Sequence, residues 1–579
     1  RTTLPTRVSI AGGGAIGQFR DDGTLGANCS VFNFNPFNYY QTPLQRFGGT
    51  ALANFEMNEH AEAYARFNYA STVVAQQVAP GGLFATTALW TPLANSFITP
   101  QARQVFIDRF NAGRATGVVT ETGDFPNWRD LNGNGVVDVE DDVRIGYARR
   151  TPELGPRRSE YNNNVFQMLT GFRGDIAAGW DYDVFFSYGK SDRATISSGY
   201  ADPVKAQNAI DAVPNEDGVL TCRTGDPACV PLNLFGGYGA ITPEMGGYTG
   251  ASGTLTEAYT QRIAGASVSG PINALQVPFA DSPLAASVGV EYRQEKGSAT
   301  PDECWKAGCL NGAGGNILPI SGGFTVKEAF AEAILPLVSD KPMFSSFDIE
   351  LGYRYSDYNM TGSSDAYKYG FNWKPVDSLM FRAMKQRATR APNVGELASP
   401  LTASLDNAVG DPCSEGNAAN ITPELTALCI STGMTAGQVG VVQDIVVGQI
   451  NSFSGTDLSD LPGPEEADTL TVGVVWTPSF GGALTNAVFS LDYYDIDIKN
   501  YIGEFSPQEV LDSCYKLGDA DACSKIRRLG GGLTLDGSGV ETFTTNLDYM
   551  RAEGVELGFT LGFDIGAAGQ VTFAGNVNK

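Results

Sequence analysis

Twelve consecutive residues place oxygen donors at the spacing of a calcium-binding loop: Asp130-Leu131-Asn132-Gly133-Asn134-Gly135-Val136-Val137-Asp138-Val139-Glu140-Asp141. Its ligand positions are Asp130, Asn132, Asn134, the Val136 carbonyl, Asp138 and Asp141, with Gly135 at the sharp turn. The last position is Asp where Glu is usual, which shortens the reach for a bidentate contact. Hard oxygen donors at this spacing favour Ca2+, in the role of ordering a long segment rather than of catalysis. The bland alternative is a solvated acidic loop.

Other chemistry is thin. His60 is the single histidine, so imidazole-based metal or triad chemistry has no second ring to use. It sits in a turn beside Asn58 and Glu59. Gly12, Gly14 and Gly17 make a formal GxGxxG, but the following residues are rich in Asp, Gly and Asn and carry no helical period. A dinucleotide site needs that helix, because its N-terminus holds the pyrophosphate. No HExxH, Walker A or GxSxG occurs, and the scattered carboxylates single out no glycosidase pair. No enzyme is expected.

The nine cysteines are spaced as local staples: Cys222 with Cys229, Cys304 with Cys309, Cys413 with Cys429 and Cys514 with Cys523. They lie in Gly/Asp/Pro-rich stretches, which fits disulfides formed in an oxidising compartment better than zinc sites. Cys29 is left over, and a partner outside this chain is expected for it.

Charge bounds the kind of scaffold that positions these residues. Lys+Arg number 39 against Asp+Glu 64, a formal net charge of -25. A general nucleic-acid binder needs the opposite sign. No stretch is apolar enough for a spanning helix, yet a closed barrel can cross a bilayer on alternating positions. That alternation is present. Ala61, Ala63, Ala65, Phe67 and Tyr69 alternate with Glu62, Tyr64, Arg66 and Asn68; Trp180, Tyr182, Val184, Phe186 and Tyr188 alternate with Asp181, Asp183 and Ser187, apart from the neighbouring Phe185. Period-two runs rich in aromatics are strands with one apolar face.

About fifteen such strands are expected. They are joined in pairs by tight turns, such as Asn58-Glu59-His60 and Ala177-Ala178-Gly179. Somewhat longer connections are expected near 269–282 and 338–346. Long polar stretches separate the pairs, at roughly 20–47, 81–157, 196–251, 298–321, 391–466 and 501–540, with one short exception near 359–363. All nine cysteines fall in these stretches. Tight turns on one side and long loops on the other are the layout of an outer-membrane barrel. Tandem secreted β-domains are the competing architecture, and would show no consistent side.

Several segments resemble the barrel of TonB-dependent outer-membrane receptors. Arg390-Ala391-Pro392-Asn393-Val394-Gly395-Glu396-Leu397 is similar to the family's RAPN-x-x-EL segment, and follows Trp373-Lys374-Pro375, similar to its W-x-P turn. Val288-Gly289-Val290-Glu291-Tyr292-Arg293 looks like its G-x-EYR strand. Leu351–Tyr358, Glu465–Thr469, Asp492–Ile496 and Glu553–Glu556 match in order.

The resemblance implies an all-β fold, a large antiparallel transmembrane barrel with long disulfide-stapled extracellular loops, present here as a partial barrel. Residues 1–579 would be a portion of that barrel, with 81–157 an extracellular loop bearing the calcium-type motif and 391–466 another bearing a disulfide. It implies the outer membrane of a Gram-negative bacterium and import of an external ligand driven by the proton-motive force. The partners would be outer-membrane lipid and the TonB complex, the latter through a plug not seen in this chain. The family barrel has about 22 strands, so an internal portion of a longer receptor is expected. The external ligand is expected to be a small ligand or oligosaccharide, with carbohydrate or peptide preferred over a siderophore and with Trp90, Trp128, Trp305 and Tyr248 as residues able to stack on sugars. Tyr182, Val184 and Phe186 would face lipid. A surface adhesive calcium-binding protein and a passive porin are the alternatives.

Overall fold

The computed structural model describes residues 3–28, 30–123, 125–177, 179–445, 449–534 and 537–579. Cys29, and Ala178 of the Ala177–Gly179 turn, lie outside the described residues.

Among the described residues, fourteen long strands form one curved antiparallel wall. They are β1 Leu44–Asn58, β2 Ala61–Pro80, β3 Pro156–Ala177, β4 Trp180–Ala201, β5 Gly250–Ile272, β6 Leu284–Pro301 and β7 Ile320–Lys341. The wall continues with β8 Phe344–Tyr358, β9 Gly362–Val376, β10 Leu379–Arg390, β11 Glu465–Trp476, β12 Leu484–Gly503, β13 Gly539–Asp564 and β14 Gln570–Asn578. Each pairs with its neighbours in chain order, as in Tyr182↔Gly174 between β4 and β3 and Leu491↔Leu557 between β12 and β13. No register joins β14 to β1 among the described residues.

The alternating pattern sorts side chains to two faces. On one face Val184 and Phe186 of β4 stand beside Phe172 of β3, Val288 and Val290 of β6, and Tyr353 and Tyr355 of β8, all exposed. This is the lipid-facing band. Trp373 and Phe381, and Trp476 and Phe489, stack in pairs near the tight-turn end of that face, with centroids 5.4 and 5.6 Å apart. Aromatic girdles of this kind mark a membrane interface. The other face is polar: Arg173 pairs with Glu62, Arg354 with Glu328 and Arg382 with Asp492. There Gly289 lies under the Phe330 ring, a close approach that a Cβ would block.

Connection length alternates as expected. Tight links join β1 to β2, β3 to β4, β9 to β10 and β13 to β14, while residues 81–155, 202–249, 302–319, 391–464 and 504–538 emerge at the other end. One expectation is corrected. The connection near 338–346 is only Pro342-Met343, because β7 carries a bulge between Pro336 and Val338 and runs on to Lys341↔Phe344. Proline cannot donate to the ladder, so the strand accommodates it with an extra residue.

The long connections are folded, not open. The segment 3–28 and the β2–β3 and β4–β5 connections build a first lobe. Its sheet takes strands Arg7–Ile10, Ala15–Phe19, Leu25–Gly26, Gly82–Pro92, Trp128–Arg129 and Asp142–Arg150. The helix Pro100–Thr116 lies against it. Thr99 caps that helix by accepting from the Ala102 N–H, and left-handed Gly117 ends it. Ala102, Phe106, Phe110 and Gly113 recur at helical spacing and are buried. Phe19 meets Phe106 and Phe235 at 6.2 and 5.6 Å.

A second lobe is built from the β10–β11 and β12–β13 connections. Strand Gln449–Thr456 pairs with Thr402–Asn407 and runs parallel to the start of β13. Helices Pro423–Ser431 and Pro507–Leu517 close its core. The β6–β7 connection packs Trp305 and Leu310 against Tyr200 between the lobes and the wall.

Candidate ligand cavity

The two lobes touch where Gly12, at φ +72°, abuts the carbonyl of Gly530. A side chain on Gly12 would collide there, so the glycine hairpin is a packing device between lobes. This disposes of the dinucleotide reading of Gly12–Gly17: a strand, Ala15–Phe19, follows the glycines instead of a helix.

Beside this contact a cavity of about 590 Å3 opens between both lobes and the β6–β7 connection. Phe84 and Thr87 come from strand Gly82–Pro92, Gln207 from helix Pro203–Ile210, Asn311 and Asn316 from the β6–β7 connection, and Phe453 from the second lobe. Several polar groups are already fixed. Gln207 exchanges hydrogen bonds with the main chain of Trp90, at 2.8 and 2.9 Å. Asn311 Nδ2 donates to Thr87 Oγ1 at 2.8 Å, while its Oδ1 accepts nothing among the described residues. Asn316 Oδ1 accepts from the Ala403 N–H across the gap to the second lobe. Three aromatic rings line the space, each with a guanidinium over it: Arg144 on Phe125 at 4.0 Å, Arg150 on Phe84 at 5.2 Å, and Arg527 on Phe453 at 4.7 Å. Such a wall can hold a solute by ring stacking and by neutral hydrogen bonds.

The aromatics expected to stack on sugars are elsewhere engaged. Trp128 is buried under Arg114 at 4.1 Å, and its Nε1 donates to Asp141. Trp90 carries Arg129 at 3.9 Å. Trp305 is a core residue, and Tyr248 donates to Asp226. The cavity rings Phe84, Phe125 and Phe453 sit far apart in sequence, and no local motif flags them. The run Gly312-Ala313-Gly314-Gly315 was the one signal available, since backbone approach to the cavity uses those glycines.

The calcium-type loop lies at the edge of the first lobe. Gly133 and Gly135 both take positive φ, +73° and +74°. Asp130 accepts from the N–H groups of Gly133 and Gly135. Asp138 Oδ2 lies 2.9 and 2.6 Å from the amides of Asn132 and Asn134. The Glu140 N–H, and then the Asn132 amide, hold the Asp138 carboxyl below its ordinary range. Asp141 is instead buried, accepting from Trp128 Nε1 and from the N–H groups of Leu131 and Asp138. Five of the six expected donor residues therefore belong to the exposed turn, whereas the carboxyl of the sixth is used to fasten the turn to the lobe. No group of three or more His, Cys, Asp or Glu side chains converges as a metal site among the described residues.

The structure joins Cys222 to Cys229, Cys304 to Cys309, Cys413 to Cys429 and Cys514 to Cys523. All four lie in the long connections. His60 Nδ1 meets Asp175 at 2.8 Å in the opposite, tight-turn end. The RAPN-like segment has a clear structural task. Arg390 bridges Glu465 and Glu396, and Asn393 and Glu396 form a reciprocal capping box on helix Val394–Ala398. The strand end is thereby tied to its neighbour where the second lobe begins.

Residues 104–579 match the family described as TonB dependent receptor-like, beta-barrel. No curated protein matches the sequence. Among solved structures, the siderophore receptor PirA from Acinetobacter baumannii is 12% identical over 92% of this chain and 52% of its own, with a TM-score of 0.41. The ferric enterobactin receptor PfeA from Pseudomonas aeruginosa is 12% identical over 92% of this chain and 62% of its own, with a TM-score of 0.40. The RagAB peptide transporter is 10% identical over 93% and 47%, with a TM-score of 0.43. The chain thus spans between 47% and 62% of the length of these structures. Family assignment rests on the sequence match, which covers most of the chain: the protein belongs to the TonB-dependent receptors and carries their outer-membrane β-barrel.

Proposed function

We propose that this barrel collects a solute from outside the cell and that the receptor imports it by TonB-dependent, proton-motive-force-driven transport. The lobed end is external in this reading, and the solute is an oligosaccharide held in the cavity between the lobes. The observation that carries it is the cavity itself, walled by three phenylalanines and by amides, of which Asn311 retains an open acceptor. Sugars present apolar ring faces and hydroxyl donors, which suit that wall. The barrel's own part is passive: a lipid-facing wall and a polar inner face.

The test is glycan binding to the full receptor in detergent, paired with uptake by cells with and without an energised TonB complex. Ser404→Trp would fill the cavity, and at least a tenfold loss of glycan affinity is expected. Binding that survives without TonB while uptake stops supports energised import. Uptake that continues at the same rate supports a passive porin.

Calcium is proposed as a structural ion on the exposed turn, held by Asp130, Asn132, Asn134, the Val136 carbonyl and Asp138, with Asp141 fastening the turn from beneath. Calorimetric titration with Ca2+ tests it. Heat that disappears in Asp138→Ala supports the ion, and no heat above background removes it.

A further inference from the structure

In a chain with 64 acidic residues, the cavity wall of twenty-five residues contains no carboxylate among the described residues. Its charged side chains are Arg144 and Lys306, and Lys306 reaches outward to Glu303 at 2.7 Å. Behind the wall two further cations stand together. Arg150 lies over Phe84, and its Nη1 donates to the Pro80 carbonyl at 2.9 Å. Arg157 donates to the Ala79 carbonyl at 2.9 Å and reaches the Gly312 carbonyl at 3.4 Å. Both are half-buried, and neither has a carboxylate within ion-pairing distance among the described residues. Burial, and then the neighbouring Arg157, pull the Arg150 guanidinium down to about 10, so it stays charged at neutral pH. Arg527, behind Phe453, differs: it is neutralised by Glu541.

Two half-buried cations held by carbonyls and aromatic rings, with no carboxylate beside them among the described residues, keep most of their field, because the surrounding protein screens weakly. Main-chain carbonyls satisfy guanidinium hydrogen bonds but carry no net charge. A neutral sugar would gain nothing from this arrangement. We infer that the cavity selects an acidic oligosaccharide, its rings against Phe84, Phe125 and Phe453 and its carboxylate drawn toward the Phe84–Gly312 side by Arg150 and Arg157. The inference rests on the reading of the cavity as the solute site and narrows the class of glycan it takes.

The experiment compares tetragalacturonate with the uncharged cellotetraose on the intact receptor, by calorimetry at low and high salt. Tetragalacturonate is expected to bind about tenfold tighter at low salt, with the advantage shrinking as salt rises. Arg150→Gln should remove most of that advantage, lowering tetragalacturonate affinity by a much larger factor than that of cellotetraose. Lys306→Gln, on the accessible wall, supplies a second readout should Arg150→Gln not fold, and should reduce the advantage by a smaller factor. Phe84→Leu should weaken both glycans. Equal binding of the two glycans overturns the inference and leaves the cavity a neutral-sugar site, and an acidic preference that survives both charge substitutions overturns the assignment of that preference to these cations. Binding of neither glycan overturns the solute reading as well.

Discussion

The two lobes solve one problem in different ways. The first is large and apolar: among the described residues, twenty-nine buried ones form a single core around Phe19, Phe106, Phe110 and Phe235. Its disulfide, Cys222–Cys229, staples a peripheral hairpin and not the middle. The second has fourteen buried core residues among those described, and three of them, Cys413, Cys429 and Cys514, are disulfide-bonded. Beside them Arg528 and Asp411 form a wholly buried bidentate pair at 2.7 Å, completed by the Tyr515 hydroxyl and the Gly531 carbonyl. A small core buries too little surface to hold an insertion by itself. Covalent staples and a saturated polar network then take over, which teaches that insertion size decides the means of stabilisation.

Removing one ring from the first lobe is the strongest test. Phe106→Ala should cost about 3–5 kcal/mol in the first lobe, read as lost hydrogen-exchange protection over 100–150 with the wall unchanged. In the second lobe Asp411→Ala should cost a similar ~3–5 kcal/mol, because Arg528 is left buried and unpaired. Replacing both partners by Leu and Met should restore most of that loss, which no cavity model predicts. Cys413→Ser with Cys429→Ser should cost about 3 kcal/mol, and a reducing agent should expose the second lobe to protease before the first. If reduction opens both lobes together, disulfides do not distinguish the second lobe from the first. The smallest effect is Thr99→Ala, about 1 kcal/mol from the lost helix cap, confined to helix Pro100–Thr116 and visible by exchange at its first turn.

The wall was legible because its order is local. Alternation in Ala61–Tyr69 and Trp180–Tyr188 names both faces within nine residues, and sheet register then follows from neighbours in sequence. The cysteine pairs were legible for the same reason, being at most 16 residues apart. The lobes were not. Phe19, Phe106 and Phe235 meet from three separate segments, and nothing near any of them announces the others. Gly82–Pro92 and Asp142–Arg150 form strands within a stretch that reads as polar loop, since their inward residues are supplied by that distant core. The cavity inherits this problem: its rings come from positions 84, 125 and 453. At the calcium-type loop the spacing was visible, but not that Asp141 turns inward to Trp128, a contact with a residue outside the motif.

Three of the insertions leave the wall and return to it at paired residues. Pro80 faces Pro156, Ala201 faces Gly250, and Arg390 faces Glu465. The ends of these three segments are thus one strand spacing apart, about 4.8 Å, whatever lies between them. Closing a longer segment across that gap costs only about 0.6 kcal/mol for each doubling of its length. The barrel rim therefore behaves as a set of sockets of fixed gauge. Segments of very different size can be exchanged by recombination without disturbing the ladder beneath, so the lobes are free to diversify faster than the wall that carries them.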